Sequence, residues 1–139
     1  MSTKLFLDTN SMLDLLGERI PYYNSVARIA SLADKGKVTI VVSALSYSTV
    51  SYFLTKFENS EISKEKLRKF KIISAICDLD ESIIEKGLNS DFNDFEDSLQ
   101  YFSALKSDCS ILITRNGRDF KASQIPVMTA KEYLISIRK

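Results

Sequence analysis

The chain predicts an α/β fold, with a parallel sheet of about five strands covered by helices on both faces. Short apolar runs recur five times, and segments with helical apolar spacing separate them. No stretch between them reads as linker, internal repeat or low-complexity tract, so the 139 residues are expected to form one domain, 1–139. Strands buried on both faces read as continuous apolar runs rather than alternating ones. Leu5-Phe6-Leu7, Val38-Thr39-Ile40-Val41-Val42 and Ile111-Leu112-Ile113 have that character.

In order along the chain, the first strand ends at Asp8, and helical spacing begins at Met12, Leu15 and Leu16, with Thr9 or Asn10 placed to cap the turn. Pro21 suits the first position of a second helix, whose apolar stripe is Val26, Ile29, Ala30 and Ala33. Gly36 sits where that helix should end. After the second strand, helices are expected over residues 44–57 and 63–76, then a short strand over 77–79. Helices over 82–88 and 94–106 follow, separated by Ser90-Asp91-Phe92-Asn93. The strand Ser110-Ile111-Leu112-Ile113-Thr114 leads into the loop Arg115-Asn116-Gly117-Arg118-Asp119-Phe120. Ile125-Pro126-Val127-Met128 reads as an edge strand, because proline cannot donate to a ladder. A last helix over 130–137 should turn Tyr133, Leu134 and Ile137 inward.

Composition narrows the chemistry. The chain has no histidine, which excludes Ser-His-Asp and Cys-His nucleophile pairs and every imidazole acid–base scheme. Cys77 and Cys109 are flanked by apolar residues and read as reduced core thiols, pointing to a cytoplasmic protein. No run approaches a membrane span, and the first residues lack the basic-then-apolar order of a signal peptide. A formal net charge of +1 gives no global nucleic-acid footprint, so any such binding must come from local clusters. Carboxylates holding a hard cation are the leading option for catalysis.

The carboxylates are arranged to suit that option. Asp8 lies where a buried strand gives way to a helix, an edge where open α/β sheets bind ligands. On a wheel of about 100° per residue, Asp94, Asp97 and Tyr101 share one stripe beside the apolar face of Phe95, Leu99 and Phe102. Asp94 also suits a helix cap, and acids are favoured in a first turn. Thr114, Asn116 and Asp119 repeat the opening design, an apolar strand ending in hydroxyl, amide and carboxylate. Arg115, Arg118 and Lys121 flank that loop as candidates for phosphate contacts. The basic run 63–71 reads as a solvated face, and Tyr22, Tyr23, Tyr47 and Tyr52 as core or as base-stacking or partner-facing aromatics.

Taken together, Leu5-Phe6-Leu7-Asp8-Thr9-Asn10, Asp94-Phe95-Glu96-Asp97-Ser98-Leu99-Gln100 and Leu112-Ile113-Thr114-Arg115-Asn116 with Asp119-Phe120 resemble the three signature blocks of PIN domains. The nearest subgroup resembles the VapC-type toxins of toxin–antitoxin pairs. The resemblance implies a three-layer α/β/α sandwich and an endoribonuclease dependent on Mg²⁺ or Mn²⁺, acting on RNA. It also implies an antitoxin partner and a homodimer, for which the helices over 21–54 offer a surface. Asp8, Asp94 and Asp97 are then the metal ligands, with Asn116 and Asp119 completing the catalytic set. Two positions depart from the family pattern: Thr49 and Asn116 stand where many members carry acids. A non-catalytic PIN domain that binds RNA or protein is therefore the alternative. A phosphatase or receiver-like use of Asp8 lacks its second acid, since Asn10 stands there.

Overall fold

A computed structural model of the chain describes residues 3–138. Five parallel strands run β1 (Thr3–Leu7), β2 (Val38–Ser43), β3 (Ser74–Cys77), β4 (Ile111–Ile113) and β5 (Val127–Met128). Seven helices connect and cover them: α1 (Thr9–Leu16), α2 (Tyr23–Asp34), α3 (Ala44–Leu54), α4 (Ser60–Ile72), α5 (Glu81–Leu88), α6 (Phe95–Lys106) and α7 (Ala130–Ser136). The spatial order is β3-β2-β1-β4-β5. From β1 the chain builds outward through β2 to β3, then crosses back to lay β4 on the other side of β1. That reversal creates a switch point between β1 and β4. A crevice opens there at the carboxyl ends of the strands, because the two neighbouring connections depart in opposite directions.

Alternation along β1 divides the core in two. Leu5 and Leu7 face a cluster with Ile40, Val42, Ile113, Met12, Ile29 and Val50. Phe6 faces the other way, toward Val41, Leu112, Ile83, Leu99 and Ala104. All three β1 side chains are wholly buried, which at roughly 1.5–3 kcal/mol each makes the central strand a rigid platform for the residue that follows it. The helices therefore lie in two layers around the sheet, as expected for a three-layer sandwich. α5 and α6 meet closely at Gly87, where an added Cβ would lie 2.7 Å from Ser98 Oγ.

Several boundaries differ from the sequence reading. Asp8 itself caps α1, rather than Thr9 or Asn10, accepting from the Ser11 amide at 2.8 Å. Pro21 precedes α2 instead of opening it, because Tyr22 takes the capping position. Gly36 does end that helix, with a φ of +73° that favours glycine. α4 stops at Ile72 and β3 occupies Ser74–Cys77, earlier than the 77–79 expected. No glycine or proline marks that boundary. Pairing of Ile40 with Ser74 and Ser43 with Cys77 sets it instead. The loop after β4 contains a 3-10 turn, Gly117–Phe120. In α7, Tyr133 is buried as expected, whereas Ile137 falls beyond the last helical turn and is exposed.

Candidate active site

Asp8 leaves β1 with its backbone amide bonded to Ile113 of the neighbouring strand at 3.2 Å, so the sheet register fixes its position. It is 6% exposed. Burial pushes its pKa above the ordinary carboxylate value, while hydrogen bonds from Thr114 and Ser11 pull the other way. Thr114, buried at the end of β4, accepts from the Asn116 amide at 3.1 Å and shapes the loop carrying Asn116 and Asp119. The Asp119 amide in turn bonds the Asn116 carbonyl at 3.0 Å.

On α6, Asp94 is the cap and accepts from the Asp97 amide at 3.0 Å. Asp97 stands in the first turn, half-buried, and its carboxyl is pushed up to about 7. Burial is the main cause, followed by the negative charges of Asp94, Asp119, Asp8 and Glu96. The structure therefore brings Asp8, Asp94, Asp97 and Asp119 within one electrostatic neighbourhood. Asp94, Asp97 and Asp119 line a cleft of about 320 Å³ together with Arg118 and Lys121, whereas buried Asp8 is not part of its wall.

Among the described residues, no three carboxylates approach closely enough to enclose an ion on protein ligands alone. Asp8 and Asp94 each commit one oxygen to a helix amide, which leaves each a second oxygen. The donor set nevertheless fits a hard cation. It is all oxygen, and burial together with the neighbouring carboxylates keeps the Asp97 carboxyl up to about 7, a cost that a bound cation would relieve. Mg²⁺ takes only one or two direct carboxylates and keeps several waters.

Other expected residues take different places. Arg115 turns away from the cleft and donates to buried Asp14 at 3.0 Å, with its guanidinium 4.1 Å from the centre of the Tyr22 ring. Tyr101 is buried and accepts from the Gln124 amide, so it braces the wall rather than facing the cleft. Tyr47 packs against Phe70 in the core, while Tyr52 lies exposed beneath Lys56. In the basic run, Lys66 is tied to Glu58 and Arg68 to Glu65. Thr49 is half-buried on α3, one turn beyond Ser46.

Sequence reasoning missed the polar floor of the site. Thr9 and Ser46 hydroxyls are 2.8 Å apart, and Ser46 meets the Gln100 amide at 3.3 Å, joining α1, α3 and α6 behind the carboxylates. All three residues are buried. Their one visible signal was a polar residue at an inward helical position.

A family model for the PIN domain matches residues 4–118, most of the chain. The chain belongs to the PIN domain family. As a PIN domain it is similar to Ribonuclease VapC1 of Aquifex aeolicus (strain VF5), 26% identical over 137 residues, covering 95% of this chain and 94% of that protein. The fold is likewise similar to VapBC-1 from nontypeable Haemophilus influenzae (TM-score 0.68, 18% identity, 93% of this chain and 99% of that one). It is also similar to Mycobacterium tuberculosis VapC20, described as a sarcin-ricin loop cleaving toxin (TM-score 0.66, 11% identity, 85% of this chain and 94% of that one). No described helix is long and apolar enough to cross a membrane.

Proposed function

We propose that this PIN domain is an endoribonuclease dependent on Mg²⁺ or Mn²⁺ and the toxin of a toxin–antitoxin pair. The reading rests above all on the cleft lined by Asp94, Asp97 and Asp119, with buried Asp8 near enough for its charge to help raise the Asp97 carboxyl. Family membership and the ribonuclease and toxin relatives support it.

Asp8, Asp94 and Asp97 would hold the cation. When bound, the ion polarises a phosphate and lowers the pKa of a water for in-line attack. Asp97 must give up its proton to serve as a ligand, and above pH about 7 it has done so. Asn116 presents an amide at the edge that orients water or phosphate without adding charge. Asp119 strengthens the negative field, and its neighbours Arg118 and Lys121 offset it at the rim, where an RNA backbone needs positive charge. Arg115 contributes from the other side of the edge. We further read the chain as cytoplasmic, homodimeric and neutralised by an antitoxin protein.

A binding module without catalysis is the second reading. It is favoured by the hydroxyl group of Thr49 on α3, where an acid would add a ligand, and by the amide of Asn116. Incubation with total cellular RNA, followed by mapping of new ends, separates the two. The ribonuclease reading expects discrete cuts with Mn²⁺ that disappear with EDTA and in Asp8→Asn. Absence of cuts from the folded wild type in Mn²⁺ would establish the binding module instead.

A further inference from the structure

A second cleft, of about 360 Å³, lies on the opposite face of the sheet from Asp94 and Asp97, between α1, α2 and α7. Its walls include Ser11, Tyr22, Ser25, Arg115 and Lys131. It opens directly beside the catalytic edge, because Ser11 both lines it and holds Asp8 through its amide at 2.8 Å. Arg115 lines this cleft, and Arg118 and Asp119, three and four residues on, line the other.

The charge of this cleft is unusual. Asp14 is 1% exposed and accepts from Arg19 at 2.8 Å and from Arg115 at 3.0 Å. One carboxylate cannot neutralise two guanidinium groups, so the trio keeps one net positive charge, and Lys131 adds a second at the rim. Tyr22 stays 40% exposed with Arg115 held against its ring. The Ser11 hydroxyl is spent on the Ile113 carbonyl at 3.3 Å, so the polar groups left to a ligand are the Arg115 guanidinium, the Lys131 ammonium and the Ser25 hydroxyl. With the Tyr22 ring beside them they suit a nucleobase with its phosphate. Pro21, Val26 and Ala130 complete the wall and give a base edge an apolar bed beside the charged groups.

We propose that this cleft is a nucleotide subsite, binding one unpaired base of RNA and a phosphate flanking the scissile one. The inference rests on the ribonuclease reading and extends it: the strand drapes over the carboxyl edge of the sheet, with Arg118 and Lys121 on one face and Tyr22, Arg115 and Lys131 on the other. Tyr22 supplies the stacking surface, and Arg115, fixed by Asp14, meets the phosphate without having to be ordered on binding.

The test uses the full chain carrying Asp8→Asn in Mg²⁺ buffer, with a fluorescein-labelled single-stranded oligouridylate as probe. Adding Tyr22→Ala should weaken binding at least about fivefold, the low end for loss of a stacked base. Adding Lys131→Ala should lower the slope of log affinity against log salt by about 0.7, as expected for one phosphate contact. Tyr52→Ala, distant on α3, should change neither. A 4-thiouridine probe should crosslink to Tyr22, which a merely structural role would not produce. Unchanged melting temperatures would confirm that the variants fold. Wild-type affinity in both variants with crosslinks confined to Arg118 and Lys121 would overturn the subsite and leave the ribonuclease reading intact. The same holds if Tyr22→Ala abolishes only capture of a protein partner. Absence of RNA binding together with absence of cleavage by the wild type would overturn both.

Discussion

Replacing Asp97 by asparagine should stabilise the metal-free protein while removing a group the activity needs. The Asp97 carboxyl is raised from 3.8 to about 7, so ionising it in the folded state is unfavourable. At 1.36 kcal/mol per pH unit, that gap sets a ceiling of about 4 kcal/mol. Asp97 is only half-buried, and solvent screening reduces the net effect to roughly 1–2 kcal/mol. The sign follows from proton counting. Between 3.8 and about 7 the folded state holds a proton that the unfolded chain has released. Stability therefore falls as pH rises through that window and levels off above it. Asparagine lacks this dependence. In EDTA at about pH 8, Asp97→Asn should melt about 3–7 °C above wild type, from the entropy of unfolding a chain of this size. The gain should shrink toward zero as the pH falls toward 3.8, the ordinary value for the carboxyl. Calorimetric melting at several pH values measures this directly. A variant that melts below wild type at pH 8, or a gain independent of pH, would refute the argument.

Three further outcomes follow from the geometry. Asp8→Asn should keep its unfolding free energy within about 1 kcal/mol of wild type by urea denaturation, since asparagine caps a helix as well as aspartate, yet lose RNA cleavage. Asp14→Ala should cost about 1–3 kcal/mol by urea denaturation, because it removes the shared carboxylate of two partly exposed guanidinium groups. Gly87→Ala should cost about 1–3 kcal/mol in the same assay, as its methyl meets Ser98 at 2.7 Å and forces α5 off α6.

The strands and the acids were legible in the sequence because each is a local pattern. Leu5-Phe6-Leu7 is apolar on both faces, and both faces are buried. Asp8, Asp94, Asp97 and Asp119 stand where strands end or helices begin, and the β1–β4 pairing sets Asp8 beside the strand that leads to Asp119. The polar floor was not legible. Thr9, Ser46 and Gln100 meet across separations of 37 and 54 residues, which no periodicity encodes. Nor was the fate of Arg115, since its choice of Asp14 over the acidic cleft depends on how α1 lies against β4. The early start of β3 was hidden for a similar reason, because pairing with β2 rather than a breaker residue ends α4.

If the carboxylate edge binds a divalent cation for RNA cleavage, calorimetric titration of Mn²⁺ should give saturable binding to wild type. Asp97→Asn, although the more stable protein, should give none. Absence of binding heat from wild type, or equal binding by the variant, would show that the carboxylates do not form the metal site.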